Sequence, residues 1–288
     1  MKYVACPICQ NKKTDIKYQG SIRKGKFPSH EKNKKIYQCP SCTTIFQEQT
    51  LKYEDNLYRN LTNGSNEIEK LKFLSNELDN QLRFLPKENL EAKSVIDVGC
   101  ATGFLLDYLK QKGAKTSAIE KNRAFLAFLN KSGHSTYSDF NQIKGEKFDL
   151  VTCFNVIEHV EDAITFVENL YKILKPGGIL LIETPNSNDY LLNILGEDFA
   201  SFFYRVQHRF YFDEASLKQV MKHSGINDYT FLYSQKYGLK NFLNWVKKKR
   251  PGHIDDYEFS KGLEEQFQRE IEMNKASDHI IIRIIKNV

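Results

Sequence analysis

The hydrophobic pattern from residue 93 onward alternates between short apolar runs and amphipathic segments of helical period. Apolar runs bounded by turn residues are typical of strands buried in a parallel sheet, and the 3.6-residue period is typical of helices packed on it. The predicted strands are 93–98, 115–120, 135–138, 147–155 and 179–185. The predicted helices are 104–113, 122–133 and 163–174. This βαβα order predicts an α/β fold with a doubly wound, mainly parallel sheet and a ligand site at the carboxyl ends of its strands.

The segment before this pattern predicts an amphipathic helix. Residues 51–92 carry apolar side chains at helical spacing as far as Pro86, which is expected to end the helix. The apolar positions are Ile68, Leu71, Leu74, Leu78, Leu82 and Leu85. We interpret 51–92 as a helical linker that packs on the following domain, with a lid over a cofactor cleft as the alternative.

The C-terminal part of the pattern adds two strands and three helices. They are predicted at 213–225, 229–235, 239–249, 262–273 and 279–286. The stretch at about 234–278 is predicted to be a helical insert. Three interpretations of it are open: a dimer element, a substrate lid or a solvated helix end. Its run Lys247-Lys248-Lys249-Arg250 favours the solvated helix end, because such side chains are seldom buried.

Composition excludes a disordered or membrane-spanning chain. The 288 residues are 41% hydrophobic and 12% aromatic, which is enough apolar material for a full core. Its sequence windows do not approach the roughly 18–20 apolar residues of a membrane helix. The N-terminal MKYVACPIC lacks an apolar stretch of signal-peptide length. We therefore expect a soluble, cytoplasmic protein with no membrane span.

The net charge of +6 is concentrated near the N-terminus. Residues 1–50 hold ten Lys or Arg and three Asp or Glu, a net of +7, so residues 51–288 sum to −1. Such a basic segment either keeps a small domain soluble or attracts an anionic partner such as nucleic acid, a sugar nucleotide or a lipid phosphate. The charge alone leaves both interpretations open.

Four of the six cysteines form two C-x-x-C pairs in this basic segment, CPIC and CPSC, with 29 residues between them. Two such pairs on tight turns are typical of a zinc ribbon, and a four-thiolate site is closed and structural. A module of about fifty residues has little core, so metal would supply its folding free energy. Two reduced redox pairs are the alternative, but a thioredoxin-like β-α-β context is missing. The predicted structural Zn²⁺ ligands are Cys6, Cys9, Cys39 and Cys42.

The loop after the first strand of the α/β pattern has the layout of a nucleotide-type cofactor site. A G-x-G-x-x-G loop brings three glycines next to a pyrophosphate. Here the loop is GCATGF, with Ala101 and Phe104 at the second and third glycine positions. Asp97 precedes the loop, and its carboxylate suits an ammonium group better than a phosphate. The charge argument therefore favours S-adenosylmethionine, which carries an amino group and a cationic sulfonium.

The segment VIDVGCATG resembles the first motif of class I S-adenosylmethionine-dependent methyltransferases, commonly D-x-G-x-G-x-G, with alanine at the middle glycine. KFDLVTCFNVIEHVED and LYKILKPGGILLIETPN resemble later motifs, so the resemblance covers about 93–226. It implies a Rossmann-like, seven-stranded, mainly parallel sheet, which follows the small zinc ribbon predicted from the cysteine pairs. The implied domains are the zinc ribbon at 1–50, the helical linker or lid at 51–92 and a methyltransferase domain at 93–288.

The resemblance also implies which residues hold the cofactor. Glu120, 21 residues after Gly99, stands where the family places an acid that accepts from both ribose hydroxyls. Asp139 stands where the family often holds the adenine amine, and Phe154 and Asn155 flank the methionine end. The full predicted set is Asp97, Gly99, Cys100, Ala101, Gly103, Phe104, Glu120, Lys121, Asp139, Phe140, Phe154 and Asn155.

The segment NVIEHV resembles the one after the fourth strand in ubiquinone-type O-methyltransferases and their relatives acting on sugars and secondary metabolites. In the quinone enzymes an E-x-x-E-H arrangement can hold a divalent ion, but Asn155 replaces the first acid here and leaves Glu158 and His159. A neutral ligand weakens hard-cation binding, so we do not expect a catalytic metal.

Two histidines are candidates for a general base. Methyl transfer is an in-line displacement for which a protein supplies alignment and, for a hydroxyl nucleophile, a base. His159 and His208 fall near the expected mouth of the site, and histidine titrates near neutral pH. Each also has a structural interpretation, as a packed helix start for His159 and as a loop hydrogen bond for His208.

Three functions fit the sequence. The favoured one is O-methylation of a sugar, glycan or other small-molecule acceptor, since a zinc ribbon before this domain resembles bacterial enzymes of surface-polysaccharide and deoxysugar pathways. The basic ribbon would then help to hold a glycan or phosphate-bearing substrate. The alternative is an RNA methyltransferase whose ribbon binds RNA, although an N-P-P-Y-like motif is missing. The third is a non-catalytic, cofactor-binding regulator. The sequence does not indicate the acceptor atom or the oligomeric state.

Overall fold

The computed structural model describes residues 4–25, 28–48, 78–254 and 257–287. Its strands are β1 (Asp15–Arg23), β2 (His30–Gln38), β3 (Ile45–Gln47), β4 (Ser94–Val98), β5 (Lys115–Ile119), β6 (Ser135–Tyr137), β7 (Phe148–Phe154), β8 (Leu174–Pro185), β9 (Phe210–Tyr211), β10 (Tyr229–Ser234) and β11 (His279–Ile285). Its α-helices after residue 100 are α1 (Phe104–Gln111), α2 (Arg123–Lys131), α3 (Ala163–Lys172), α4 (Tyr190–Leu195), α5 (Glu197–Phe203), α6 (Glu214–His223), α7 (Leu239–Lys248) and α8 (Lys261–Met273).

Seven strands form the main sheet, in the order β10-β11-β8-β7-β4-β5-β6. Strands β4 to β8 pair in parallel, whereas β11 runs antiparallel to both β8 and β10. The chain builds outward from β4 in both directions, so the strand order reverses there and opens a crevice at the carboxyl ends of β4 and β7. The predicted α/β, doubly wound, seven-stranded, mainly parallel sheet is confirmed.

Local sequence explains these elements. Val95, Ile96 and Val98 of β4 are buried, as the continuous apolar run predicts for a central parallel strand. Helix α2 begins after Asn122, whose side-chain oxygen accepts hydrogen bonds from the backbone N–H groups of Ala124 and Phe125.

The connection from α3 to β8 differs from its prediction. The sequence predicts a helix to residue 174 stopped by Pro176-Gly177-Gly178, but α3 ends at Lys172 and β8 already begins at Leu174. Leu174 pairs with Phe148, and the register then shifts before Leu150 pairs with Ile179. The proline and glycines therefore lie in an irregular part of the strand, which buries Leu174 in the core.

The cysteine-rich segment and the main domain share a second sheet, with the order β1-β2-β3-β9. Its last strand, β9, comes from the main domain, and Ile45 and Phe46 of β3 pair with Tyr211 and Phe210. The buried Gln47 side chain donates hydrogen bonds to main-domain carbonyls between residues 205 and 208. The ribbon is thus joined to the main domain by main-chain pairing and by a shared core.

Only the end of the predicted linker belongs to the described residues. Positions 51–77 lie outside them, and with them Ile68, Leu71 and Leu74. Residues 78–82 are helical, and Leu78, Leu82 and Leu85 pack against the core. Within the described ranges, no helix is both long and apolar enough to cross a membrane.

Candidate functional site

A cavity of about 760 Å³ lies at the carboxyl ends of β4, β7 and β8. The loop after β4 and the segment after β7 form one side of it. The ribbon strand β1, helix α5 and the insert with helix α7 contribute the other walls. The crevice predicted from the strand order therefore has further walls from parts of the chain that lie outside the α/β pattern.

The loop after β4 brings backbone close to the cavity. Gly99 and Gly103 have positive φ angles of 78° and 79°. A Cβ on Gly99 would lie 2.4 Å from Val156 Cγ2, and one on Gly103 would lie 2.4 Å from Leu129 Cδ2. Both glycines are therefore required by packing as well as by conformation. Ala101 also has a positive φ of 50°, which costs about 1–2 kcal/mol for a residue with a Cβ.

Two carboxylates hold and face this loop. Glu120 accepts hydrogen bonds from the N–H of Ala101 at 3.0 Å and from the N–H of Asn122 at 2.8 Å. Asp97 is 5% exposed and accepts a hydrogen bond of 2.8 Å from the Thr152 hydroxyl. Burial raises the pKa of Glu120 and raises that of Asp97 to about 7, where Glu120 adds repulsion. A cationic ligand beside these acids would stabilise their charged forms and so lower both pKa values.

Seven residues of the predicted cofactor set line the cavity: Asp97, Gly99, Cys100, Ala101, Phe104, Phe154 and Asn155. The other five do not line it. Gly103 caps α1, and Glu120 and Lys121 follow β5. Asp139 and Phe140 follow β6 at the same edge of the sheet, where Asp139 accepts a 2.8 Å hydrogen bond from the Asn141 N–H.

The loop fits the cofactor that the sequence predicts. The Thr102 hydroxyl is buried and has no hydrogen-bond partner among the described residues, so it is available to a ligand. Asp97 offers a carboxylate to an amino group, and the glycine backbone leaves room for close approach. Asp97 and Thr102 are therefore the residues that would hold the amino-acid end of S-adenosylmethionine, and Glu120 remains the predicted ligand of its ribose.

His159 and His208 lie next to each other in the fold although they are far apart in the sequence. His159 contacts Gln207, the residue before His208, which is 48 positions further along the chain. The two imidazole rings meet edge-on with centroids 4.7 Å apart. His159 Nδ1 lies 2.9 Å from the Gln207 carbonyl and donates to it. Burial, with His159 and two arginines nearby, lowers the pKa of His208 well below its ordinary value. His208 is therefore a neutral imidazole at neutral pH, which is the form that accepts a proton.

Glu158 completes a group of three possible ligands that the sequence did not indicate. One ligand atom each of Glu158, His159 and His208 lie within 4.8 Å of one another, so the group can hold a divalent cation. Glu158 is 1% exposed, and burial raises its pKa to about 7. The sequence marked the loss of an acid at Asn155 but gave no sign that His208 would take a place beside Glu158.

The insert contributes side chains to the cavity. The interpretation of its helix as a solvated helix end did not include this contribution. Residues 247–250 are exposed, in agreement with that interpretation. The opposite face of α7, with Asn241 and Trp245, lines the cavity instead. A second element that sequence reasoning missed is Arg23 of the ribbon, which also lines the cavity. In the sequence Arg23 is one of ten basic residues and carries no distinguishing signal.

The four ribbon cysteines converge at the opposite end of the ribbon strands. The Sγ atoms of Cys6 and Cys42 are 3.4 Å apart, and those of Cys9 and Cys39 are 3.5 Å apart. One sulfur atom from each of the four lies within 4.8 Å of the others. Tetrahedral zinc with bonds of about 2.3 Å requires sulfur separations of about 3.8 Å, so these residues fit a Zn²⁺ ion.

Comparison with known proteins identifies the family of the chain. Residues 71–230, 160 of the 288, match the family model described as a methyltransferase domain. The ubiquinone biosynthesis O-methyltransferase of Pseudomonas paraeruginosa is 32% identical over 125 residues, 39% of this chain and 54% of that protein. The enzyme of the same description from Pseudomonas entomophila is 34% identical over 123 residues, 38% of this chain and 53% of that protein. The chain thus spans about half the length of the curated relatives it matches.

A solved structure supports the fold. A SAM-dependent methyltransferase from Archaeoglobus fulgidus aligns with a TM-score of 0.51 and 17% identity, covering 81% of this chain and 99% of that one. At this identity the likeness concerns the fold alone. The family match covers the glycine loop, Glu120 and the NVIEHV segment, and it confirms the resemblance inferred from those motifs. The chain therefore belongs to the methyltransferase-domain family, in the class I group that uses S-adenosylmethionine.

Proposed function

We propose that the protein transfers a methyl group from S-adenosylmethionine to a hydroxyl of a small-molecule acceptor, with a sugar or glycan residue as the favoured acceptor. The observation that supports this most is geometric: His159 and His208, with ring centroids 4.7 Å apart, line the same cavity as the cofactor loop, where a base can stand beside an acceptor hydroxyl. A hydroxyl nucleophile requires a base, whereas methylation of a neutral amine can proceed without one. Family membership favours an enzyme over a non-catalytic regulator.

The residues divide the work between alignment and proton transfer. The bound cofactor supplies the activated methyl group. Asp97 and the glycine loop orient its amino-acid end, and His208 accepts the proton of the acceptor hydroxyl. His159 stands edge-on to His208, with its Nδ1 proton held by the Gln207 carbonyl. Its Nε2 lies 3.8 Å from Glu158 Oε1, so a positive charge that develops on the pair has a carboxyl group beside it.

The acceptor class is supported by relatives and by the cavity wall. The two Pseudomonas relatives are described as O-methyltransferases of ubiquinone biosynthesis, which favours oxygen as the acceptor atom. Phe202, Phe203 and Trp245 line the cavity and offer apolar faces against which a ring-shaped acceptor can pack.

RNA methylation is the second candidate, favoured by lysines on the ribbon surface. The exposed ones among the described residues include Lys12, Lys13, Lys17, Lys32 and Lys35. Such a surface would bind phosphates with a steep salt dependence. The small-molecule proposal ranks first because the similar curated proteins are described as enzymes of ubiquinone biosynthesis, and because the site is a concave cavity with aromatic walls.

We further propose that the ribbon holds one structural Zn²⁺ through Cys6, Cys9, Cys39 and Cys42. The support is the fit of the four sulfur positions to a tetrahedral site. Elemental analysis of the purified protein should give one zinc per chain, and a value near zero in a folded protein would contradict the assignment.

A methyl-transfer screen tests the function. Protein is incubated with methyl-labelled cofactor and, separately, with sugar nucleotides, glycan extracts, catechol-type phenols and RNA. We expect label in the sugar or glycan fraction, and label in RNA alone would favour the second candidate. His208→Gln should lower turnover about 10²- to 10⁴-fold with cofactor binding unchanged, because that is the usual contribution of a general base. His223→Gln, at an exposed histidine of α6, is the matched control.

A further inference from the structure

Arg23 is fixed at the end of ribbon strand β1 and faces the cavity of the main domain. Its backbone N–H donates to the Tyr204 carbonyl at 2.9 Å, and its own carbonyl accepts from the Val206 N–H at 3.0 Å. The side chain is 9% exposed, and its Cζ lies 3.9 Å from the centroid of the Phe202 ring. Main-chain bonds and ring stacking therefore hold this guanidinium in one place.

The guanidinium has no anionic partner among the described residues. Its Nε and Nη2 atoms are buried and lack hydrogen-bond partners there. These two nitrogens form one edge of the planar group, the edge that binds a carboxylate or a phosphate through two parallel hydrogen bonds. Burial and then Arg205 lower the pKa of Arg23 to about 9, so the group is still a cation at neutral pH.

A buried cation without a counter-charge is costly, and stacking on Phe202 offsets only part of that cost. The charged groups near it add to the cost. Arg205 lies close enough to lower the pKa of Arg23, and Arg23 in turn contributes to the low pKa of His208. This corner of the cavity is therefore electropositive, whereas Asp97 and Glu120 make the cofactor loop electronegative.

We propose that Arg23 binds an oxyanion carried by the acceptor, a carboxylate or a phosphate, and so selects anionic acceptors; this inference rests on the proposed methyl transfer to a small molecule. The ribbon then supplies a specificity residue to the site in addition to its structural role. An acceptor held by its anionic group at Arg23 presents the rest of the molecule to the cavity that also holds His208.

The single tryptophan of the chain provides a direct binding signal. Trp245 lines the same cavity, and its ring centroid lies 4.9 Å from that of Phe202, the ring on which Arg23 stacks. Protein saturated with S-adenosylhomocysteine is titrated with inorganic phosphate and, separately, with acetate, at constant ionic strength. We expect a saturable change in fluorescence with at least one of the two anions, and the anion that binds more tightly identifies the acidic group.

Three variants make the titration specific. Arg23→Met keeps the length and stacking of the side chain but removes the charge, and should weaken anion binding at least tenfold. Arg23→Lys keeps the charge but lacks the two-nitrogen edge, so its anion affinity should lie between those of the wild type and Arg23→Met. Lys17→Met removes a cation from an exposed position on the same strand and should bind as the wild type does. Zinc content and melting temperature show that each variant is folded.

Two results would overturn the proposal. The first is equal anion binding by wild type and Arg23→Met. The second is a large loss of S-adenosylhomocysteine affinity in Arg23→Met, because Arg23 would then bind the carboxylate of the cofactor instead of the acceptor. Neither readout requires turnover, so a failure of the proposed methyl transfer in the screen is distinguishable from a failure of this anion site.

Discussion

Gly103 offers a quantitative test of how tightly the cofactor loop is packed. In Gly103→Ala the new Cβ would lie 2.4 Å from Leu129 Cδ2, and Leu129 is fully buried, so its methyl has little space to withdraw. The positive φ of 79° costs about 1–2 kcal/mol, and overpacking adds about 1–3 kcal/mol. We expect the free energy of unfolding to fall by about 2–5 kcal/mol, measured by urea titration.

Gly145→Ala is the matched control for this experiment. Gly145 has the same φ of 79°, but a Cβ placed on it would meet no atom of the described residues within 4 Å, so it should show the conformational cost alone. The difference between the two variants isolates the packing contribution. Equal losses in Gly103→Ala and Gly145→Ala would refute the reasoning. The losses of Gly103→Ala and Leu129→Ala should be less than additive in the double variant, because the shortened side chain vacates the space that the new Cβ needs.

Two further predictions concern charge and metal. In the cofactor-free protein the raised pKa of Asp97 gives stability that is present below its unfolded value and lost as pH rises through about 7. Urea titrations should therefore show that Asp97→Asn loses less free energy of unfolding than the wild type between about pH 4 and pH 8. The variant should also bind S-adenosylhomocysteine more weakly. An equal pH dependence in the two proteins would contradict the raised pKa of Asp97. Removal of zinc with 1,10-phenanthroline should weaken anion binding at Arg23 at least tenfold, because the ribbon that carries Arg23 loses the metal that stabilises it, with the non-chelating 1,7-isomer as control. Unchanged anion binding by the zinc-free protein would contradict the structural role of the metal.

The main sheet is predictable from sequence because its signals are local. The strand at 94–98 is mostly apolar, and the glycine loop and Glu120 follow it at the spacing typical of a βαβ unit. The pairing of His159 with His208 is less local, yet both histidines could be chosen because each follows a strand or precedes a helix near the expected mouth. Their contact geometry and the participation of Glu158 depend on packing and needed the structure.

The parts that sequence reasoning missed come from distant pairing. Strand β9 has two residues, too few for a hydrophobic period, and forms because Phe46 and Ile45 of the ribbon lie beside it. In the sequence Arg23 cannot be distinguished from a surface cation, because its burial depends on the contact between the ribbon and the main domain. Trp245 lies on a helix whose charged end suggested solvent, and its inward face becomes clear only from the cavity that it lines.

The shared sheet has a consequence for synthesis of the chain. The ribbon leaves the ribosome before the main domain, but the strand that completes its sheet lies at Phe210–Tyr211, far along the chain from its partner Ile45. Contacts so distant in sequence form late and slow the final assembly. Until β9 emerges, the ribbon carries an open strand edge with β-branched and aromatic residues, which is prone to pairing with other chains.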